Sequence, residues 1–264
     1  QNPQKVETSL SGSELSFTIP AGSLREFVLV QPNMTFPAYE RVNGDVATQD
    51  LHKLGQTDMI IIAAPALKAQ AERLAEEHRK RDNLSVEVVE PEKIYNEFSS
   101  GTPDATAIRR FMKMFYDRST YEADAPKYLL LFGDGVYDNR FLCDELQSIP
   151  QENMLPTYQS ANSLNIYSYV TDDYFGFLED NSGFNLPNDK VQIGIGRFPV
   201  RTVTDATQMV DKVISYMNNT QLGSWKNKVA FVADDGSNAD SFSTEHMKQA
   251  NDAADIYIED KHPE

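Results

Sequence analysis

From Asp58 onward, short apolar runs alternate with amphipathic stretches of helical period, and this alternation constrains the fold more than any other property of the chain. Residues 59–64 form a continuous apolar run, the pattern of a strand buried on both faces. Pro65 ends it, and Leu67, Ala71, Leu74 and Ala75 then mark one face of a helix that runs to about Arg81. Val86, Val88 and Val89 predict a second strand. Thr102-Pro103-Asp104 reads as a helix start, with Thr102 as cap and Pro103 at the first position, and Ala105, Ile108, Phe111, Met112 and Phe115 as the buried stripe. Residues 128–132 are the third and most apolar strand, and residues 191–195 predict a fourth. Thr202 opens a helix with Val203, Ala206, Val210, Val213, Ile214 and Met217 inward. Residues 229–233 predict a fifth strand, a weaker helix follows over 243–254, and residues 256–258 begin a possible sixth strand.

Strands alternating with helices imply a mostly parallel open sheet flanked by helices, an α/β fold. The start of the chain is different. Over residues 1–37, Leu15, Phe17 and Ile19 alternate with polar residues, Pro20-Ala21-Gly22 is a turn, and 27–30 is a second apolar run. This β-rich segment is expected to be the tail of an upstream domain, with 38–57 as a connecting segment and 58–264 as the main unit. The first residue is not Met, and both ends read as cut from a longer protein.

The net charge is −16, which argues against a nucleic-acid groove because phosphates call for clustered Lys and Arg. No apolar run approaches the roughly 18–20 residues that span a bilayer. The single cysteine, Cys143, excludes an internal disulfide framework and reads as a buried structural thiol, with no His beside it. His52, His78, His246 and His262 have no metal-ligand spacing and read as surface residues.

Ligands of open parallel sheets sit beyond the carboxyl ends of the strands. There the sequence places Gly133-Asp134-Gly135, followed by Tyr137-Asp138-Asn139, and Asp234-Asp235-Gly236, with Thr171-Asp172-Asp173-Tyr174-Phe175-Gly176 in the insertion as a candidate to join that edge. Clustered carboxylates need a counter-charge, which a hard cation would supply, so Asp134, Asp172, Asp173 and Asp234 are candidate metal ligands. The competing reading is plain turn chemistry, since Asp-Gly is a common turn pair. Arg197, in Gly194-Ile195-Gly196-Arg197-Phe198-Pro199, is expected to pair with one of the Asp loops, because the phosphate-loop spacing is incomplete.

Four stretches carry a resemblance to the gingipain-type cysteine peptidases: residues 94–109, residues 128–140, residues 171–176 and residues 193–202, with Trp225 and Asp234-Asp235-Gly236 beside them. Within that family the chain most resembles the peptidases that trim type IX secretion cargo. The resemblance implies a caspase-like α/β fold of two subdomains, of which this chain holds the first. It places the catalytic cysteine and histidine in the second subdomain, and it implies that Asp235 orients that histidine and that Cys143 is no nucleophile. It also implies Ca²⁺ binding and an outer-membrane-surface location in a Gram-negative bacterium. The implied partners are the C-terminal sorting domains of cargo and other type IX secretion components. Two alternatives stand beside it. One is a divalent-metal phosphoesterase or transferase using Asp134, Asp172 and Asp235, and the other is a non-catalytic Ca²⁺-stabilised scaffold.

Overall fold

The computed structural model describes residues 4–20, 22, 25–31, 33, 47–160, 166–183, 188–220, 222–233 and 241–256. By contacts the chain divides at Thr48/Gln49, inside the stretch read as a connector.

In the first unit, strands β1 (Ser9–Ser11) and β2 (Glu14–Ser16) pair antiparallel, with Leu10 opposite Leu15. The hairpin turns at Gly12, which takes φ +64, rather than at Pro20-Ala21-Gly22. Positive φ costs glycine little, so the turn closes there and leaves Phe17 beyond the strand end. The run at 27–30 is not a strand; Val28 and Leu29 are exposed.

The strands of the second unit are β3 (Met59–Ala63), β4 (Val86–Val89), β5 (Tyr128–Phe132), a short antiparallel pair β6 (Tyr158–Gln159) and β7 (Val170–Thr171), and β8 (Gly194–Phe198). Four of them form a sheet with order β4-β3-β5-β8 and every neighbour parallel. The helices are α1 (Lys68–Arg81), α2 (Pro91–Phe98), α3 (Ala105–Arg118), α4 (Asp144–Gln147), α5 (Val203–Asn218) and α6 (Ser241–Ala254). Because strand side chains alternate, β3 and β5 feed two cores. Ile60, Ile62, Leu129 and Leu131 pack with Ile94 of α2 and Phe111 and Phe115 of α3. Met59, Ile61, Leu130 and Phe132 pack with Leu67 at the start of α1, with Ala71 and Leu74 of α1, and with Ala206 and Val210 of α5. The sheet is thus covered on both faces, which is why its central strands read as unbroken apolar runs.

Several elements differ from expectation. Helix α2 was not anticipated; Pro91 at its first turn starts it, and Ile94 and Tyr95 bury its inner face. Helix α3 is capped by Asp104, whose carboxylate accepts from Thr106 N–H at 2.8 Å, two residues after Thr102. β8 begins three residues later than 191. The backbone and side chain of Gln192 are taken up by Gly176 and Leu178, and Gly194 lets the Tyr128 ring close over the strand start. Residues 229–233 form no strand: Val229 and Val232 stand exposed, with no ladder partner among the described residues to take their backbone groups. Position 256 lies in a helical turn, and 257–258 fall outside the described residues. Thr202 caps α5 as expected, in a reciprocal box with Asp205. Among the described residues no helix is long and apolar enough to cross a membrane.

Candidate functional site

The carboxyl end of β5 is held against the end of β8 by backbone bonds: Gly133 N–H donates to Phe198 O and Asp134 N–H to Val200 O. The loop 153–157 then lies across this edge, with Leu155 N–H donating to Asp134 O at 2.8 Å. Both glycines of Gly133-Asp134-Gly135 serve this close approach. A methyl group at Gly133 would sit 2.5 Å from the Asn153 carbonyl oxygen, and one at Gly135 would lie 2.7 Å from the Thr157 methyl and 3.1 Å from the Arg197 guanidinium.

Arg197 organises the edge. It projects from β8 and is only 13% exposed. Its Nε and Nη2 donate to the two Asp172 oxygens, each at 2.8 Å. Nη2 also reaches Pro156 O at 3.0 Å, and Nη1 reaches the carbonyls of Gly133, Asp134 and Leu155. The expected Arg197–Asp pairing therefore forms, as a fork on Asp172. One guanidinium ties the insertion, the β5 loop and β8 into a single edge. Asp134 has its own arginine: Arg201 Nε donates to it at 2.5 Å, and its other oxygen accepts from Gly135 N–H.

The turn Asp173–Gly176 follows Asp172. Its Tyr174 stacks on Tyr158 at 4.0 Å and takes part in a hydroxyl contact with Thr106 of α3. Arg109, also on α3, lies over the Tyr174 ring and donates to the carbonyls of Phe177 and Ser182. The stretches 94–109 and 171–176 are therefore parts of one packed assembly, although about 65 residues separate them. Asp173 is exposed and its N–H donates to Thr171 Oγ1. Asp138 caps the next turn, accepting from Arg140, Leu142 and Cys143 N–H groups, which hold its carboxyl below the usual range.

Asp234 and Asp235 lie outside the described residues, as does His262. Among the candidate ligands that are described, Asp134 and Asp172 already face guanidinium groups, and these supply the counter-charge a cation would otherwise bring. A Ca²⁺ ion here would have to draw on further oxygens, such as backbone carbonyls, Asp173 or Asp234. Sequence spacing gave no sign of a different grouping, Asp50, His52 and Glu97, whose possible ligand atoms lie within 4.8 Å of one another. Glu97 is 45 residues from His52 in sequence, and Phe98 stacks on the His52 ring, so only the tertiary fold brings them together. His78 is paired with Asp82 and His246 is exposed.

Cys143 is half-buried rather than buried. A hydrogen bond from Tyr137 favours its thiolate, but desolvation and the neighbouring Asp138 carboxylate outweigh it and hold the thiol above its usual range. That environment opposes nucleophilic use.

The comparisons bear on the same residues. No curated protein sequence matches the chain. Among solved structures, latent dimeric PorU from Porphyromonas gingivalis is similar, with 43% identity, a TM-score of 0.62 and coverage of 70% of this chain. The chain spans 18% of that protein's length. A structure described only as a protease also matches, at 15% identity and a TM-score of 0.42 over 66% of this chain and 31% of that one. Peptidase family C25 matches residues 52–264, a span that holds the sheet, the Gly133-Asp134-Gly135 loop, Asp172 and Arg197. With that match over most of its length, the chain belongs to peptidase family C25, the gingipain family.

Proposed function

We propose that this chain is part of the catalytic domain of a cysteine endopeptidase that removes C-terminal sorting signals from type IX secretion cargo at the surface of a Gram-negative bacterium. The observation that carries the reading is the 43% identity to PorU over 70% of the chain. It is supported by the family match, which takes in the Arg197–Asp172 edge. In this reading residues 58–264 are the first subdomain of the peptidase domain, and the parent's partners are the sorting domains of cargo and other secretion components. Asp235 orients a histidine that, like the nucleophilic thiolate, is supplied from outside residues 1–264. Cys143 is not that nucleophile, so the chain alone is inactive. Attack by a thiolate on a scissile carbonyl needs a base to take the thiol proton and return it to the leaving amine. Among the described residues, His52 is paired with Glu97 and His78 with Asp82, and no histidine hydrogen-bonds to Cys143 to serve.

Peptide hydrolysis by the purified chain tests this directly: turnover that disappears on Cys143→Ala would overturn the assignment. In the longer parent protein, Asp235→Asn is expected to lower kcat with little change in KM. Calcium enters the proposal as a structural ion, expected to raise the thermal midpoint of the chain, and a melting curve unmoved by Ca²⁺ removes it.

A further inference from the structure

A cleft of about 630 Å³ opens beyond the carboxyl ends of β3 and β4, between α2 and the loop that crosses the β5 edge. Its walls are apolar, with Pro65, Pro91, Phe141 and Leu155 among them. Three charged side chains, Glu92, Arg140 and Glu152, stand exposed at its rim. The two lining asparagines are already used: Asn139 bonds both backbone groups of Thr157, and Asn153 donates to Arg201 O.

Tyr95 differs from every other polar residue lining the cleft, because it alone is buried, at 6% exposure. No hydrogen bond joins its hydroxyl to any described residue. Yet no side-chain oxygen or nitrogen that is sealed from solvent lacks a partner among those residues. The Tyr95 hydroxyl must therefore keep some solvent access, and for a residue otherwise enclosed in the core the cleft it lines is where that access lies. A buried phenol without a protein partner is a polar group waiting for a ligand or water.

We infer that this cleft is a binding site for an uncharged stretch of polypeptide, which places an apolar side chain between the proline walls and a backbone amide on the Tyr95 hydroxyl. The ligand class follows from the polar inventory. A buried anion or cation would require charged partners inside the cleft, and all the charged groups are at the rim. A neutral hydroxyl matches a neutral amide, donating to its carbonyl or accepting from its N–H. Burial, with Glu92 and Asp104 adding to it, raises the phenol well above its usual range, so Tyr95 stays neutral. The volume suits a few residues of chain. A second groove, of about 560 Å³ at the amino ends of the strands, has no buried polar side chain among its lining residues and lacks such a handle.

The choice of polypeptide over other neutral amides rests on the peptidase reading, and the site would hold a segment of substrate away from the bond that is cut. The test is a titration of the isotopically labelled chain with acetyl-Ala-Leu-Ala-amide, followed by amide shifts. Saturable shifts centred on Tyr95, Gly101 and Leu155 are expected, with Kd of order 1 mM. Tyr95→Phe should weaken binding by about fivefold, the loss of one neutral hydrogen bond, and should leave the thermal midpoint unchanged or higher. Ala66→Trp, on an exposed turn at the cleft, should abolish binding without touching the core. The inference is overturned by any of three results: no saturable shift, binding indifferent to both substitutions, or tighter binding of acetate than of the capped peptide. A lowered midpoint in Tyr95→Phe would likewise show that the hydroxyl has a structural partner. No hydrolysis enters this titration, so its failure leaves the peptidase reading standing, and failure of a hydrolysis assay on the parent leaves the cleft standing.

Discussion

Replacing Asp58 with Asn should destabilise the second unit in a way that vanishes in acid. Asp58 precedes β3 and joins the amino ends of three strands. Its Oδ2 accepts from the N–H and hydroxyl of Ser85, ahead of β4, at 2.8 and 2.6 Å. Its Oδ1 accepts from Lys127 Nζ, ahead of β5, at 2.6 Å. Partial burial pushes its carboxyl upward, but the Lys127 ammonium and the Ser85 donors outweigh burial and hold it down at about 2, against a usual value near 3.8. At about 1.4 kcal/mol per pH unit this corresponds to roughly 2.4 kcal/mol of stability. Lys127 is 45% exposed, so solvent screening of its share brings the expected loss to roughly 1.5–2 kcal/mol.

The sign is fixed by the lowered folded-state value. The contribution is fully present above the unfolded-state pKa near 3.8 and is lost as pH falls toward 2. Urea unfolding of the native chain and Asp58→Asn, repeated from neutral pH down to about pH 2, isolates the effect, because all other acid titrations cancel in the difference. The gap should be steady above about pH 5 and close across the window below 4. A gap below about 0.5 kcal/mol at neutral pH, or one that persists undiminished at pH 2, would refute the reasoning.

Other perturbations bear on the carboxyl edge and the helices. Arg197→Ala leaves Asp172 without its fork and uncaps three loop segments, and is expected to cost about 3 kcal/mol in urea unfolding. Arg197→Lys, which cannot reproduce two parallel bonds, should recover less than half of it. Gly133→Ala forces a methyl to 2.5 Å from the Asn153 carbonyl and should lower stability by about 1–3 kcal/mol in the same assay, while loosening residues 153–157 to proteolysis. Thr202→Ala breaks the capping box of α5, with an expected loss of about 1 kcal/mol and reduced amide protection in its first turn. Cys143, with its thiol raised, should react with iodoacetamide at neutral pH more slowly than free cysteine, and its rate should climb with alkaline pH.

The central strands and most of the helices are legible in the sequence because their cause is local. β3 and β5 bury both faces, so their residues form unbroken apolar runs. The stripes of α3 and α5 repeat at helical period, and a Thr202 followed by Asp205 states its own cap. Helix α2 was missed since eight residues carry little periodic signal, and its stability comes from burying Ile94 and Tyr95 on the sheet. β8 was misplaced because Gly194 and Gly196 read as loop, while the tertiary requirement is room for the Tyr128 ring.

The sequence also put Asp134 on the edge beyond the strands, with Asp172 as a candidate to join it and Arg197 as an expected partner for one of the Asp loops, since loops following parallel strands must gather there. What it left open was the pairing. Only the tertiary structure gives Asp172 to Arg197 and Asp134 to Arg201, because partners 25 and 67 residues apart are chosen by strand register and loop path. The same holds for the Tyr95 hydroxyl, whose lack of a partner among the described residues is a property of everything packed around it and of no residue beside it in the chain. Sequence by itself determines which side chains are apolar, which backbone turns are allowed and how elements alternate. Contacts between distant segments, and the groups those contacts leave unsatisfied, are decided when the layers pack.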